Sequence, residues 1–110
     1  MYYILENRVP VRVGNIDEWF RLCTPTMKRV DETFINDVHI STVFLGMDHS
    51  FGGGTPVLFE TMIFGGKLND YQWRYTTWDE AIEGHQKAVQ MCREEENIIK
   101  SGGTISFKLT

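Results

Sequence analysis

The chain has 110 residues, of which 42% are hydrophobic and 24% are charged, and its formal net charge is −4. This length suits one domain, and the composition is that of an ordinary folded protein rather than a disordered one. An acidic chain with scattered Lys and Arg lacks the basic surface that binds a nucleic-acid backbone. Neither a run of about 18 uncharged apolar residues nor a basic leader followed by an apolar stretch is present, so we expect a cytoplasmic protein with no membrane contact.

The first predicted unit is a β-hairpin formed by residues 2–5 and 9–13. The residues between these segments are few enough for a tight turn, and the valines of the second segment fall on one face by the two-residue period of a strand. Pro10 has no amide proton for strand pairing, which places the second strand at an edge or a bulge.

A short helix is predicted to begin at Asn15. The Asn15 side chain can accept a hydrogen bond from the amide of Glu18, as in a capping box. Thr24-Pro25 ends the helix, because the residue before a proline avoids the helical conformation. The apolar stripe expected to pack on the sheet consists of Ile16, Trp19, Phe20 and Cys23.

Two long apolar segments, residues 38–47 and 57–64, are predicted to be the central strands of a sheet. Both are apolar on both faces, which is typical of strands that are covered on both sides by helices or by a second subunit. We therefore expect a homo-oligomer, most simply a two-fold dimer. Residues 30–35 form a further strand that reaches the first segment through a turn at Asn36-Asp37, and residues 73–75 are a candidate short strand.

The strongest helix signal begins at Thr77, which forms a Thr-x-x-Glu capping box with Glu80. The helix is predicted to end at about Lys100, before paired glycines. An alternating strand is predicted over residues 104–110, and it would pair at the edge of the sheet or with a neighbouring subunit. The order β-β-α-β-β-β-α-β predicts one α+β domain over residues 1–110, with a mostly antiparallel sheet and one short and one long helix. The stripe of the long helix consists of Trp78, Ala81, Ile82, His85, Ala88, Val89 and Cys92.

The loop between the central strands is the candidate functional site, because its glycines can adopt unusual backbone angles and present several N–H groups to an anion. Asp48 and His49 can act as a base or as metal ligands, and Phe51 can stack on a ligand. The alternative is a plain hairpin loop in which Asp48 forms a turn and His49 lies on the surface. No Gly-Lys-Ser/Thr triplet follows, which excludes a Walker-type site. The residues assigned to the site are Asp48, His49, Phe51, Gly52, Gly53, Gly54 and Glu60.

Glu60 interrupts a strand that is otherwise apolar, so its carboxylate needs a partner. An ion pair with a nearby residue is the interpretation we favour, and a ligand contact is the alternative. A metal-assisted hydrolase built from Asp48, His49 and Glu60 is an enzymatic alternative, although no metal-ligand spacing such as His-Glu-x-x-His supports it.

His85 is predicted to be a core histidine with one hydrogen bond. Cys23 and Cys92 are predicted to be reduced core residues, and Trp73, Tyr75 and Trp78 core or interface anchors.

The segment STVFLGMDHSFGGGTPVLFETMIFGG, followed by WRYTTWDEAIEGH, resembles a family of short proteins encoded in bacteriophage and prophage genomes. The resemblance covers most of residues 1–92, and residues 93–110 diverge from it. The family has no established activity, so the resemblance implies neither catalytic residues nor a cofactor. It implies a small viral accessory protein that acts in a bacterial cytoplasm.

Together, the residues and the resemblance predict a non-enzymatic binding protein. Such a protein would counteract a host defence by binding a host protein or by sequestering a small, nucleotide-like anion. A purely structural or assembly role is a further alternative.

Overall fold

A computed structural model describes residues 1–23, 28–50 and 52–100, with side chains as far as Asn97. Within these ranges the chain is a single α+β domain with antiparallel sheets, one short helix and one long helix, which confirms the predicted fold class. Phe51, the predicted helix stop at Thr24-Pro25 and the predicted strand over residues 104–110 lie outside the described residues. The elements are β1 (Tyr2–Glu6), β2 (Val9–Val13), α1 (Ile16–Leu22), β3 (Arg29–Ile35), β4 (Val38–Phe44), β5 (Phe59–Phe64), β6 (Gln72–Tyr75) and α2 (Trp78–Lys100).

Four strands lie between the two helices, where the predicted order has three. The additional strand is β6, which corresponds to the candidate short strand at residues 73–75. It has four residues, and so short a segment shows too little alternation for its pattern to separate a strand from a loop.

The larger sheet has the antiparallel order β3-β4-β5-β6, and β1 and β2 form a separate hairpin. Burial alternates along β4, as the two-residue period of a strand requires. The buried side packs against α2, and the opposite side, which includes His39, Ser41 and Val43, is half-buried because α1 contacts the hairpin instead. Within the described part of the chain, one face of the sheet is therefore left open. The buried residues of β4 are Val38, Ile40, Thr42 and Phe44.

The long helix α2 begins with the predicted capping box. Thr77 Oγ1 accepts a hydrogen bond from the Glu80 amide at 3.1 Å, and Glu80 Oε1 accepts one from the Thr77 amide at 3.1 Å. These bonds satisfy backbone amides that the first helical turn leaves unpaired, and they stabilise the start of the helix directly after β6. Neither this helix nor any other in the described part of the chain is long and apolar enough to cross a membrane.

Two clusters of buried side chains join α2 to the sheet. Both cysteines are free thiols, as predicted: Cys92 is buried in the cluster with Ala88 and Val89, and Cys23 is half-buried. The first cluster contains Phe44, Leu58, Phe59 and Ala81. The second contains Val38, Ile40, Ile63, Leu68, Ala88, Val89 and Cys92.

The short helix α1 has the predicted cap, because the Glu18 amide donates to Asn15 Oδ1 at 2.9 Å. Its predicted apolar stripe is wrong in one respect, since Trp19 is buried but Ile16 and Phe20 are 43% and 67% exposed. A helix of seven residues covers little surface, and this one packs on the hairpin rather than on the main sheet.

Trp19 attaches α1 and the hairpin to the end of β4. Its indole N–H donates to the Tyr3 carbonyl at 3.0 Å, and its ring lies on Gly46. A Cβ at position 46 would lie 2.8 Å from a ring carbon of Trp19, so glycine is required for this close approach. The Tyr3 amide also donates to the Gly46 carbonyl at 2.8 Å.

Candidate functional site

The connection between β4 and β5 is a narrow extension of the two strands. Beyond the strand ends, the Leu45 amide donates to the Leu58 carbonyl at 2.7 Å and the His49 amide to the Val57 carbonyl at 2.9 Å. The part of the connection free to form a binding loop is therefore the short stretch after His49.

Asp48 organises this loop. Its Oδ1 accepts hydrogen bonds from the amides of Ser50 and Val57 at 2.8 and 2.9 Å, and its Oδ2 accepts one from the Ser50 hydroxyl at 2.9 Å. The Ser50 amide, followed by the Val57 amide and the Ser50 hydroxyl, lowers the pKa of Asp48, so the carboxylate is ionised. Asp48 thus forms a turn, which was the alternative to a ligand contact.

The glycines at the tip have the expected backbone. The φ angles of Gly52, Gly53 and Gly54 are +76°, +87° and +94°, and all three residues are exposed with open space where a Cβ would lie. His49 is half-buried. The geometry fits an exposed loop, and binding of an anion to its amides stays a prediction.

Glu60 makes the ion pair favoured from the sequence. It lies on the open face of β5 opposite its register partner Arg74, whose Nε donates to Glu60 Oε2 at 2.9 Å. Among the described residues, no three His, Cys, Asp or Glu side chains are grouped closely enough to hold a metal ion. Asp48, His49 and Glu60 therefore do not form the convergent set that a metal-assisted hydrolase needs.

His85 makes two hydrogen bonds rather than the predicted one. Thr42 Oγ1 lies 2.7 Å from Nδ1, and Thr33 Oγ1 lies 2.8 Å from Nε2. Burial lowers the pKa of His85, and the Asp31 carboxylate, 3.8 Å away, opposes that shift. Both ring nitrogens have protein partners, so we assign this histidine to the core. Threonines at inward positions of β3, β4 and β5 are the sequence signal for such a network.

A groove that the sequence did not indicate runs between β6 and α2. Its volume is about 380 Å³, within the range of about 300–1,000 Å³ that is usual for ligand sites. At one wall of the groove the Tyr75 side chain packs directly on Gly84 of α2, where a Cβ would overlap the ring and hydroxyl. Burial raises the pKa of Tyr75, so its hydroxyl is protonated at neutral pH. The groove is lined by Trp73, Tyr75, Glu80, Glu83, Gly84, Lys87, Ala88 and Met91.

The strand beside this groove has one edge that no described residue pairs with. Among the described residues, β6 pairs only with β5. The carbonyls of Tyr71 and Tyr75 accept hydrogen bonds from the β5 side, at 3.0 and 3.1 Å. Because alternate residues of an antiparallel strand direct their backbone groups to opposite sides, those of Gln72 and Arg74 point to the free edge. A groove and an unpaired strand edge thus lie side by side.

Comparison of the chain with protein-family models, with curated proteins and with solved structures finds no match.

Proposed function

We propose that this is a non-enzymatic binding protein that receives an extended segment of a partner protein as an additional strand beside β6. The observation that carries the proposal is the juxtaposition of the groove under α2 with the β6 edge, which is unpaired among the residues that the structure describes. Strand addition uses these two features, because backbone hydrogen bonds at the edge supply affinity and pockets for alternate side chains supply specificity.

The lining of the groove indicates the chemistry of the partner segment. An added strand would direct every second side chain toward α2, against Trp73, Tyr75 and Met91. These surfaces favour apolar side chains at alternate positions. At the rim, Lys87 and Glu83 form an exposed ion pair at 3.3 Å, which can affect the association rate more than the affinity.

The resemblance to phage-encoded proteins supports a bacterial host protein as the partner, with inhibition of a host defence as the purpose. We rank this function above sequestration of a small anion at the glycine loop. The ionised Asp48 carboxylate lies within that loop and would repel an anion. The β6 groove is also lined by carboxylates, Glu80 and Glu83, but these do not repel an uncharged, apolar segment.

A displayed library of random peptides is the probe for this function. Selected peptides are expected to have apolar residues at alternate positions, and their Kd is measured by fluorescence anisotropy against the wild type, Gln72→Pro and Gln72→Ala. Proline removes the amide at the free edge without removing a bond to β5, so Gln72→Pro should weaken binding at least about tenfold.

Gln72→Ala is the matched control, because it removes the same side chain but keeps the amide. It should bind as the wild type does, and both variants should unfold at the same urea concentration. Peptides that bind Gln72→Pro as tightly as Gln72→Ala, or the failure to select any peptide, would contradict strand addition.

A further inference from the structure

A line of hydrogen-bonded side chains runs through the core from His85 to the groove beside β6. Thr42 Oγ1 lies 2.7 Å from His85 Nδ1 and 2.5 Å from Thr61 Oγ1, and all three residues are buried. The Thr61 hydroxyl is in turn a hydrogen-bond partner of the Tyr75 hydroxyl. Because Tyr75 lines the groove, this line connects a buried titratable group to the proposed binding surface.

The protonation of the two ring nitrogens of His85 sets the first bond of the line. A neutral imidazole donates through one nitrogen and accepts through the other. Thr33 Oγ1 lies 2.8 Å from Nε2 and the Asp31 carboxylate lies 3.8 Å from it, and the negative charge favours the proton on this nitrogen. Nδ1 is then the acceptor, so the Thr42 hydroxyl donates to it.

Each hydroxyl donates a single proton, so the direction of one bond fixes the direction of the next. With a neutral imidazole, Thr42 accepts from Thr61 and Thr61 accepts from Tyr75, whose oxygen faces the groove with a lone pair. A second proton on the imidazole makes Nδ1 a donor. Thr42 then donates to Thr61 and Thr61 donates to Tyr75, which releases the Tyr75 proton toward the groove.

The charged groups that act on the two ends of the line are Asp31 on β3 and Lys87 on α2, whereas β4 and β5 contribute threonine hydroxyls. Burial lowers the pKa of His85, and Asp31 opposes this shift. Burial raises the pKa of Tyr75, and the Thr61 hydroxyl and the Lys87 ammonium oppose that shift. On acidification, His85 is therefore the group of the line that gains a charge, and Tyr75 keeps its proton.

We infer that the charge of His85 determines, through two threonines, whether the Tyr75 hydroxyl offers a lone pair or a proton to a segment bound in the groove. Acidification then changes the preference of the groove from hydrogen-bond donors to hydrogen-bond acceptors. This consequence for binding rests on the proposed function, whereas the coupling between His85 and Tyr75 does not.

Nuclear magnetic resonance on the full chain tests the coupling without a ligand. Isotope labels at tyrosine Cζ report the hydrogen bonding of each hydroxyl, and labels at the histidine ring nitrogens report the charge of each imidazole. Tyr75→Phe and His85→Gln identify the two signals. In the wild type, the Tyr75 Cζ shift should change at the same pH at which His85 titrates, below the ordinary histidine value of 6.5.

Thr61→Val removes one hydroxyl of the line while His85 keeps both of its partners. The Tyr75 change should disappear in this variant, and the His85 titration should remain. Thr61→Ser is the matched control, because it keeps the hydroxyl and should keep the coupled change. The pair Thr42→Val and Thr42→Ser gives the same comparison if Thr61→Val does not fold.

The peptide assay tests the consequence for binding. A peptide selected at neutral pH should bind about fivefold more weakly below the pKa of His85, which corresponds to the loss of one hydrogen bond. The wild type and Thr61→Ser should show this loss, and Thr61→Val should not.

Three results would overturn the inference. The first is a wild-type Tyr75 signal that does not change where His85 titrates, or a His85 that stays neutral until the protein unfolds in acid. The second is a Tyr75 change that persists in Thr61→Val, and the third is the same pH dependence of Kd in Thr61→Val and Thr61→Ser. Failure to select any peptide would contradict strand addition alone, because the resonance experiment needs no peptide.

Discussion

Substitution of Gly84 by alanine should destabilise the protein, although the usual rule for helices predicts the opposite. Gly84 lies inside α2, where replacing glycine by alanine ordinarily stabilises a helix by about 0.5–1 kcal/mol. Here a Cβ at position 84 would overlap the ring and hydroxyl of Tyr75. The ring cannot move freely, because it packs against the buried cluster that contains Phe44 and Phe59.

The expected magnitude follows from these two opposing effects. Insertion of a methyl group into a packed site costs about 1–3 kcal/mol, since side chains and backbone must shift. Because the overlap involves a ring that is packed against a buried cluster, the cost should lie at the upper end of this range, about 2–3 kcal/mol. After subtraction of a helix-propensity gain of about 1 kcal/mol, Gly84→Ala should lower the free energy of unfolding by about 1–2 kcal/mol.

A double-mutant cycle with Tyr75→Ala separates the two effects. Once the ring is removed, Gly84→Ala should stabilise the protein by about 0.5–1 kcal/mol, as in an ordinary helix. Gln86→Ala, an exposed change in the same helix, controls for the general effect of alanine. Urea unfolding measures all variants. If Gly84→Ala stabilises the wild type as much as it stabilises Tyr75→Ala, the close contact at one wall of the groove does not exist in solution.

Three further outcomes are expected. First, burial lowers the pKa of His85 below its ordinary value of 6.5, so just below that pH the unfolded chain binds a proton that the folded chain does not. The free energy of unfolding should therefore fall as the pH decreases through this window. His85→Gln should reduce this dependence on pH, as measured by urea unfolding at several pH values. Second, the pKa of Asp48 is lowered in the folded state, so its carboxylate contributes to stability above the unfolded-state pKa, and this contribution is lost as the pH falls through the folded-state pKa. Asp48→Asn should therefore lower the urea midpoint at neutral pH and match the wild type at strongly acidic pH. Third, if the predicted two-fold dimer forms through the open sheet face, Phe34→Ser should convert it to a monomer in light scattering, whereas Phe20→Ser, at a similarly exposed position on α1, should not; a wild-type monomer would contradict the dimer.

The features that the sequence predicts well are those determined by neighbouring residues. Both helix starts depend on side chains three positions apart, and the bonds at Asn15 and Thr77 are those expected. The alternation of burial along β4 likewise follows from its local pattern. The hydrogen bonds of Asp48 reach only nearby loop residues, so its turn-forming role could be stated in advance.

The features that could not be predicted depend on contacts between distant parts of the chain. The two hydrogen bonds of His85 come from Thr33 and Thr42, on two different strands. The groove is lined by residues of β6 and α2, among them Tyr75 and Gly84, and neither of these residues has a local pattern that indicates contact with the other. The buried position of Glu95 next to the turn after β5 is a further contact of this kind, which a helix pattern does not contain.

A strand edge that stays unpaired, as that of β6 does among the described residues, would ordinarily favour aggregation, so pairing with a wrong partner must be limited. Two properties of β6 do so: it has only four residues, and its outward side chains are the polar Gln72 and the charged Arg74. Arg74 is also held on the open face by Glu60, which keeps a charge beside the edge. Few backbone bonds are therefore available to any added strand, and affinity must come from side chains that fit the groove. If the proposed strand addition occurs, this requirement favours a specific partner sequence over indiscriminate strand pairing.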